Sequence, residues 1–294
     1  MGRKRSVWVR IEAVMLTTTV SFPNDRDFSR EIPEKLPRAD LYIAALPRSG
    51  ATMLANLLSC PPNRWILVEP GLHHPRPSSG LPIQISRFLA ASGADPAGRA
   101  AATLTSRRQI LDQLADCLPR LEAWGIKEVG PEHDTAITAL RPRKTVILVR
   151  DVRDVLLSFL EHQNRLLGCH WAHLSHLEYL SDCCTALAAL CERDDPNTRI
   201  CRYEDLVSSP NERNALADWL SWPLDGDIDR NLDLYYREYE IARHCGEVSI
   251  NSVGRYSREQ PSINATLVRQ LGMLYDDFNG KFGYPDSWGH DKAH

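Results

Sequence analysis

Two arginines at equivalent places in the chain carry the first chemical signal. Leu46-Pro47-Arg48-Ser49-Gly50-Ala51-Thr52 follows a short apolar run, and Arg150 closes the run Val146-Ile147-Leu148-Val149. Gly50 lets backbone approach an anion closely. A helix opening at Ala51 offers unpaired N–H groups and the positive end of its dipole. Arg48 adds a forked cationic donor, and Ser49 and Thr52 add hydroxyls. Ser158 lies about two helical turns beyond the second strand end. The Arg150 guanidinium and the Ser158 hydroxyl could therefore converge on one phosphate, a strong and directional contact. Arg153 and Asp154, beside Arg150, read as a salt-bridged structural cap.

Those residues need a scaffold that brings strand ends together. The strand reading gives residues 41–46, 65–68, 124–129, 145–149 and 199–203. The apolar runs are short and nearly continuous, as expected for strands buried on both faces. Helical periodicity covers 51–59, then 81–121 with a break at 93–98, then 152–165, 173–191, 211–220 and 266–278, with a helical turn at 204–207. Residues 71–82, rich in His, Pro, Ser and Gly, read as an irregular loop. Strands alternating with helices predict an α/β, P-loop-like three-layer fold, its central mostly parallel sheet flanked by helices. Ligands of such sheets bind outside the carboxyl ends of the strands, where Arg48 and Arg150 fall.

Composition narrows the function. The 294 residues are 43% hydrophobic and 25% charged, and 35 Lys plus Arg against 38 Asp plus Glu give a net charge of −3. A general nucleic-acid binder would carry a basic excess. The eight cysteines form no CxxC, so neither a zinc framework nor a disulfide framework is expected, and reduced thiols in a cytoplasmic protein are the simpler reading. No apolar run reaches membrane-spanning length. Residues 1–38 read as a leader, 39–288 as one domain and 289–294 as a tail. Gly2 with Ser6 fits a loose acylation pattern that short chance matches also satisfy. The first loop is not a Walker A loop, since GK[ST] and the leading glycine are both missing, and this argues against a kinase or NTPase working on ATP with magnesium.

The ordered motifs resemble those of the sulfotransferases that use 3′-phosphoadenosine-5′-phosphosulfate (PAPS). Pro47-Arg48-Ser49-Gly50-Ala51-Thr52 resembles the family's 5′-phosphosulfate loop, and Arg150 with Ser158 its 3′-phosphate pair. Tyr203-Glu204-Asp205-Leu206 is similar to the segment whose tyrosine lies near the adenine. Val253-Gly254-Arg255-Tyr256 is similar to the late loop that closes over the nucleotide, and Gly283-Tyr284 to the C-terminal end. Ala51 stands where a threonine is usual, which removes one hydrogen bond of about 1 kcal/mol. Arg48 stands where the cytosolic branch has lysine, in the style of the tyrosylprotein and carbohydrate branches.

The resemblance implies sulfonate transfer from PAPS to an acceptor hydroxyl by in-line displacement, with no metal required. Glu69, at the end of the second strand and beside the first loop, is the expected general base; its separation from Arg48 resembles the tyrosylprotein type. Lys127 should emerge at the active rim to steady the sulfonate or leaving oxygen. The histidine that the cytosolic branch carries two residues after that lysine is Val129 here. His73 and His74 are the reserve bases. His170, Trp171 and His173 are further pocket candidates. The partner is a small-molecule, carbohydrate or peptide acceptor, and the sequence leaves open which one, as it does a homodimer. The competing readings are the kinase or NTPase and a nucleotide-binding protein of the same fold without turnover.

Overall fold

The computed structural model describes residues 28–93, 104, 106–167, 174–224, 252–258, 266, 268 and 271–284. His170, Trp171 and His173 lie outside them, as do residues 1–27 and 289–294. Five strands, β1 (Leu41–Ala45), β2 (Arg64–Val68), β3 (Ala123–Val129), β4 (Lys144–Val149) and β5 (Thr198–Arg202), form one parallel sheet in the order β2-β3-β1-β4-β5. The central strands are mostly apolar because helices cover both faces, and residues 41–46 are fully buried.

The strand order produces the site. From β1 the chain crosses to the β2 side, whereas β4 and β5 lie on the other side. In sheets of this kind the ligand position falls at such a reversal, here at the carboxyl ends of β1 and β4. Ala45 pairs in register with Leu148, so the loops carrying Arg48 and Arg150 leave the sheet side by side. On the other flank of β1, Val68 pairs with Lys127, which pairs in turn with Ile43, so Glu69 stands about level with Ala44.

The connecting helices follow the predicted periodicity with local differences. Helices α2 (Ala51–Leu58), α3 (Leu81–Ala91), α4 (Arg107–Cys117), α6 (Val152–Leu167), α7 (Leu174–Cys191), α8 (Tyr203–Ser208) and α9 (Pro210–Leu220) stand where expected. Helix α5 (His133–Leu140) is additional. It buries Ala136, Ala139 and Leu140, and a stripe built mostly of alanine carries a weak hydrophobic signal. The helix expected over 266–278 is interrupted by a 3₁₀ turn at Gly272–Tyr275 before Asp276–Lys281, consistent with the low helix propensity of glycine.

Packing against the core also begins before residue 39. Helix α1 (Phe28–Lys35) buries Ile32, and Leu36 is buried just beyond its end. Glu31 accepts from Arg107 Nε at 3.0 Å and Lys35 donates to Asp112 at 2.7 Å, so α1 is tied to α4. Pro33, inside α1, hides it from a periodicity reading. No helix among the described residues is long and apolar enough to cross a membrane.

Ile32→Ala is expected to cost about 2–5 kcal/mol of stability, the usual range for emptying a packed aliphatic site. Urea unfolding measures it; a loss below about 0.5 kcal/mol, typical of surface positions, would detach α1 from the core.

Candidate functional site

The loop after β1 is wound tightly by two left-handed residues, Arg48 at φ 66° and Gly50 at φ 90°. Ser49 is buried, and its hydroxyl donates to the Leu46 carbonyl at 2.7 Å. Its proton closes the turn in this structure. Gly50 caps α2 with no side-chain cap bond. Ala51 and Thr52 form its first turn. The Tyr203 ring, at the start of α8, lies directly on Gly50: a Cβ there would stand 2.3 Å from Tyr203 Cε2. Glycine is thus required both by its dihedral angle and by the ring above it.

Arg150 is buried at the adjoining strand end, with 6% of the residue exposed. Its Nη1 donates to the Arg48 carbonyl at 3.3 Å and its Nη2 to the Ser252 carbonyl at 2.5 Å. The guanidinium stacks over the Tyr203 ring, 4.4 Å from its centroid, and Asp154 lies 3.8 Å away. Nε has no hydrogen-bond partner among the described residues. Ser158 Oγ accepts from Arg48 Nε at 3.3 Å, not from Arg150. The two anticipated anion groups are therefore contiguous, with Ser158 joining them. Tyr203 OH and Ser252 Oγ lie 2.7 Å apart and close the cluster. Ser252 escaped the sequence reading because one serine before a glycine loop has no distinguishing pattern.

Arg255 is placed differently. Its guanidinium forks onto Glu161 of α6 at 2.8 and 3.3 Å. Its loop is fastened by buried Asp154, which accepts from Gly254 N at 2.6 Å and Tyr256 N at 3.0 Å. Burial pushes the Asp154 carboxyl up, and Arg150 with the two amides opposes this without cancelling it. Below, Arg153 forks onto Asp151 at 2.8 and 2.6 Å, and Asn279 links Asp151 to Val152. Glu204 accepts from Asp151 N at 3.0 Å and from Tyr284 OH at 2.7 Å, which ties in the C-terminal Gly283-Tyr284 pair.

On the other flank, Lys127 Nζ donates to Glu69 Oε1. The Lys127 side chain is 3% exposed and that of Glu69 49%, so the carboxylate carries the buried ammonium to the cleft surface. Burial alone would raise the Glu69 carboxyl, but Lys127 and then Arg48 outweigh it and hold it below the ordinary range. Glu69 also has a positive φ, 47°, and its N–H donates to the Lys127 carbonyl at 2.7 Å. Next to Lys127, buried Glu128 accepts from Gly71 N at 2.9 Å, and burial pushes its carboxyl up to about 8. Burial and the adjacent His74 bring the His73 imidazole down to about 4. A Lys-Glu pair inside an otherwise apolar strand was the available clue to Glu128.

No protein-family model matches the chain, and no curated protein matches it in sequence. Solved structures do match. The chain is similar to the sulfotransferase domain from the curacin biosynthetic pathway, at 15% identity over 85% of this chain and 99% of that one, with a TM-score of 0.55. The sulfotransferase domain of a Synechococcus olefin synthase matches at 16% identity over 85% and 96%, with a TM-score of 0.48. The first of these identifies the fold as that of a sulfotransferase domain.

Gly50→Ala is expected to destabilise the protein by about 2 kcal/mol or more, from a strained dihedral angle plus overpacking on Tyr203. In a Tyr203→Ala background the cost should shrink to the dihedral part, about 1 kcal/mol. Chemical denaturation of the four proteins in the cycle tests this. Equal costs in both backgrounds would separate the ring from the loop.

Proposed function

We propose that the chain transfers sulfonate from PAPS to an acceptor hydroxyl, releasing 3′,5′-adenosine bisphosphate (PAP). One observation carries the reading: a cation-lined anion loop and a second buried arginine share the crevice between β1 and β4, with an ammonium–carboxylate pair on the adjoining strand ends. The donor set fits a bisphosphorylated nucleotide. Arg150 keeps an unpartnered buried Nε among the described residues, and the left-handed residues Arg48 and Gly50 wind the loop into the N-terminus of α2. Arg48, Gly50, Ala51 and Thr52 would hold the 5′-phosphosulfate, Arg150 and Ser158 the 3′-phosphate. Tyr203 would lie near the adenine, and the Arg255 loop would cover the nucleotide.

When bound, PAPS supplies an activated sulfur whose bond to the 5′-phosphate oxygen breaks as the acceptor oxygen attacks. The residues provide positioning and charge. Lys127 neutralises charge growing on the leaving oxygen, aided by Arg48. Glu69 takes the acceptor proton, and its exposed side chain suits that contact. The pairing with Lys127 makes Glu69 a weak base. Drawing Lys127 toward the leaving oxygen raises its basicity just as the proton must move. The described cysteines are free thiols, which fits a cytoplasmic protein. The acceptor is a small molecule, carbohydrate or peptide.

PAP should raise the melting temperature, and Arg150→Ala should remove most of that rise. No shift at saturating PAP would overturn the donor assignment. With labelled PAPS and an acceptor panel, Glu69→Gln should lower turnover by about 10²–10⁴-fold while the PAP shift remains. Because Glu69 is held below the ordinary carboxylate range, the acid limb of kcat/KM should lie below that range. A limb near neutral pH, or full turnover in Glu69→Gln, would transfer the role to another group.

A further inference from the structure

We propose that His73, His74 and Glu132 form a divalent-cation site of zinc type on the acceptor side of the rim. One donor atom from each of the three residues lies within 4.8 Å of the others. A tetrahedral zinc with bonds of about 2.0–2.1 Å needs donors about 3.3 Å apart. The required closure is small, and the two residues that must move are His74 and Glu132, both exposed.

The third donor is already fixed. The His73 side chain is only 5% exposed, and its Nδ1 has no hydrogen-bond partner among the described residues. A buried polar atom without a partner is costly unless a ligand satisfies it. Glu128 Oε1 stands 3.9 Å from that nitrogen, beyond hydrogen-bond distance, so it does not satisfy it. The two imidazoles lie against each other, with centroids 4.0 Å apart.

The backbone holds these side chains ready. His74 N donates to Gly71 O at 3.0 Å, and its carbonyl accepts from Arg107 at 2.7 Å. Gly71 N is held by Glu128. Glu132 is the N-cap of α5 yet makes no capping bond, so its carboxylate is not engaged there. It folds back over Gly130, where a Cβ would stand 3.2 Å from Oε2.

Two imidazoles and one carboxylate suit zinc, whereas magnesium and calcium prefer all-oxygen shells. Three protein donors leave a fourth position for water or an acceptor oxygen. The ion would pin residues 71–74 to the β3–α5 turn beside Glu69 and Lys127. The sulfonate chemistry does not require it, so this inference stands apart from the proposed activity.

The test uses the untagged full chain after chelator dialysis. Zinc is titrated against a chromophoric chelator, and the melting temperature is followed with zinc or magnesium. One zinc per chain should bind and raise the melting temperature, and magnesium should not. His74→Ala and Glu132→Gln should each weaken binding by about tenfold or more. Both positions are exposed, and retention of the parent's melting temperature without metal checks their fold. Zinc binding that is absent, or unchanged in the double variant, would overturn the site whatever PAP does.

Discussion

A guanidinium buried at a strand end demands partners, and much of the candidate site is assembled from what answers that demand. Arg150 has little contact with water, so its charge must be met by protein groups. The groups that meet it come from four separate segments: the Arg48 carbonyl after β1, Asp154 in α6, the Tyr203 ring after β5 and the Ser252 carbonyl before the late loop. Each contact fixes a segment that would otherwise be a loose surface turn. Asp154 repeats the logic with opposite sign, since its buried carboxylate fastens Gly254 and Tyr256. The sheet order makes this economical, because β1 and β4 are already neighbours before any side chain is considered.

The second constellation solves a different electrostatic problem. Lys127 is more deeply buried than Arg150 and meets one carboxylate. Glu69 is reached only because its backbone takes a left-handed turn at the end of β2. Strain of that kind persists where the surroundings over-determine it, and here the Glu69 amide is bonded to Lys127 as well. The pair is thus held at both main chain and side chain. On the proposed reading, that rigidity keeps the base in place while its proton affinity is governed by where the lysine's charge is drawn.

The parts legible in the sequence were those set by local pattern. Apolar runs marked the strands, and arginine at two strand ends marked the rim, because in a parallel sheet those ends share one side. What escaped reading depended on azimuth and on partners far along the chain. Ser158 was visible as a hydroxyl in α6, but which arginine it would meet turns on how Arg48 crosses the crevice. That the Ser49 hydroxyl bends back to Leu46 is likewise not written in the local pattern. The fork of Arg255 onto Glu161 joins residues 94 apart, which no local pattern reveals. Helices α1 and α5 were hidden by an internal proline and by alanines, whose burial is evident only once neighbours are packed on them.

The rim is also divided by sign. Arg48 and Arg150 lie at the ends of β1 and β4, whereas Glu69 and Glu132 lie at the ends of β2 and β3, with Lys127 at the border and Glu128 pushed up to about 8 by burial. A highly anionic donor approaching such a surface is drawn to one half and repelled by the other, and low-dielectric walls strengthen both effects. On the proposed reading, the phosphates settle over β1 and β4 and the transferable group faces the other half, where Lys127 is buried. On that reading, charge division gives the donor a direction, and the acceptor approaches from the side where a carboxylate can take its proton.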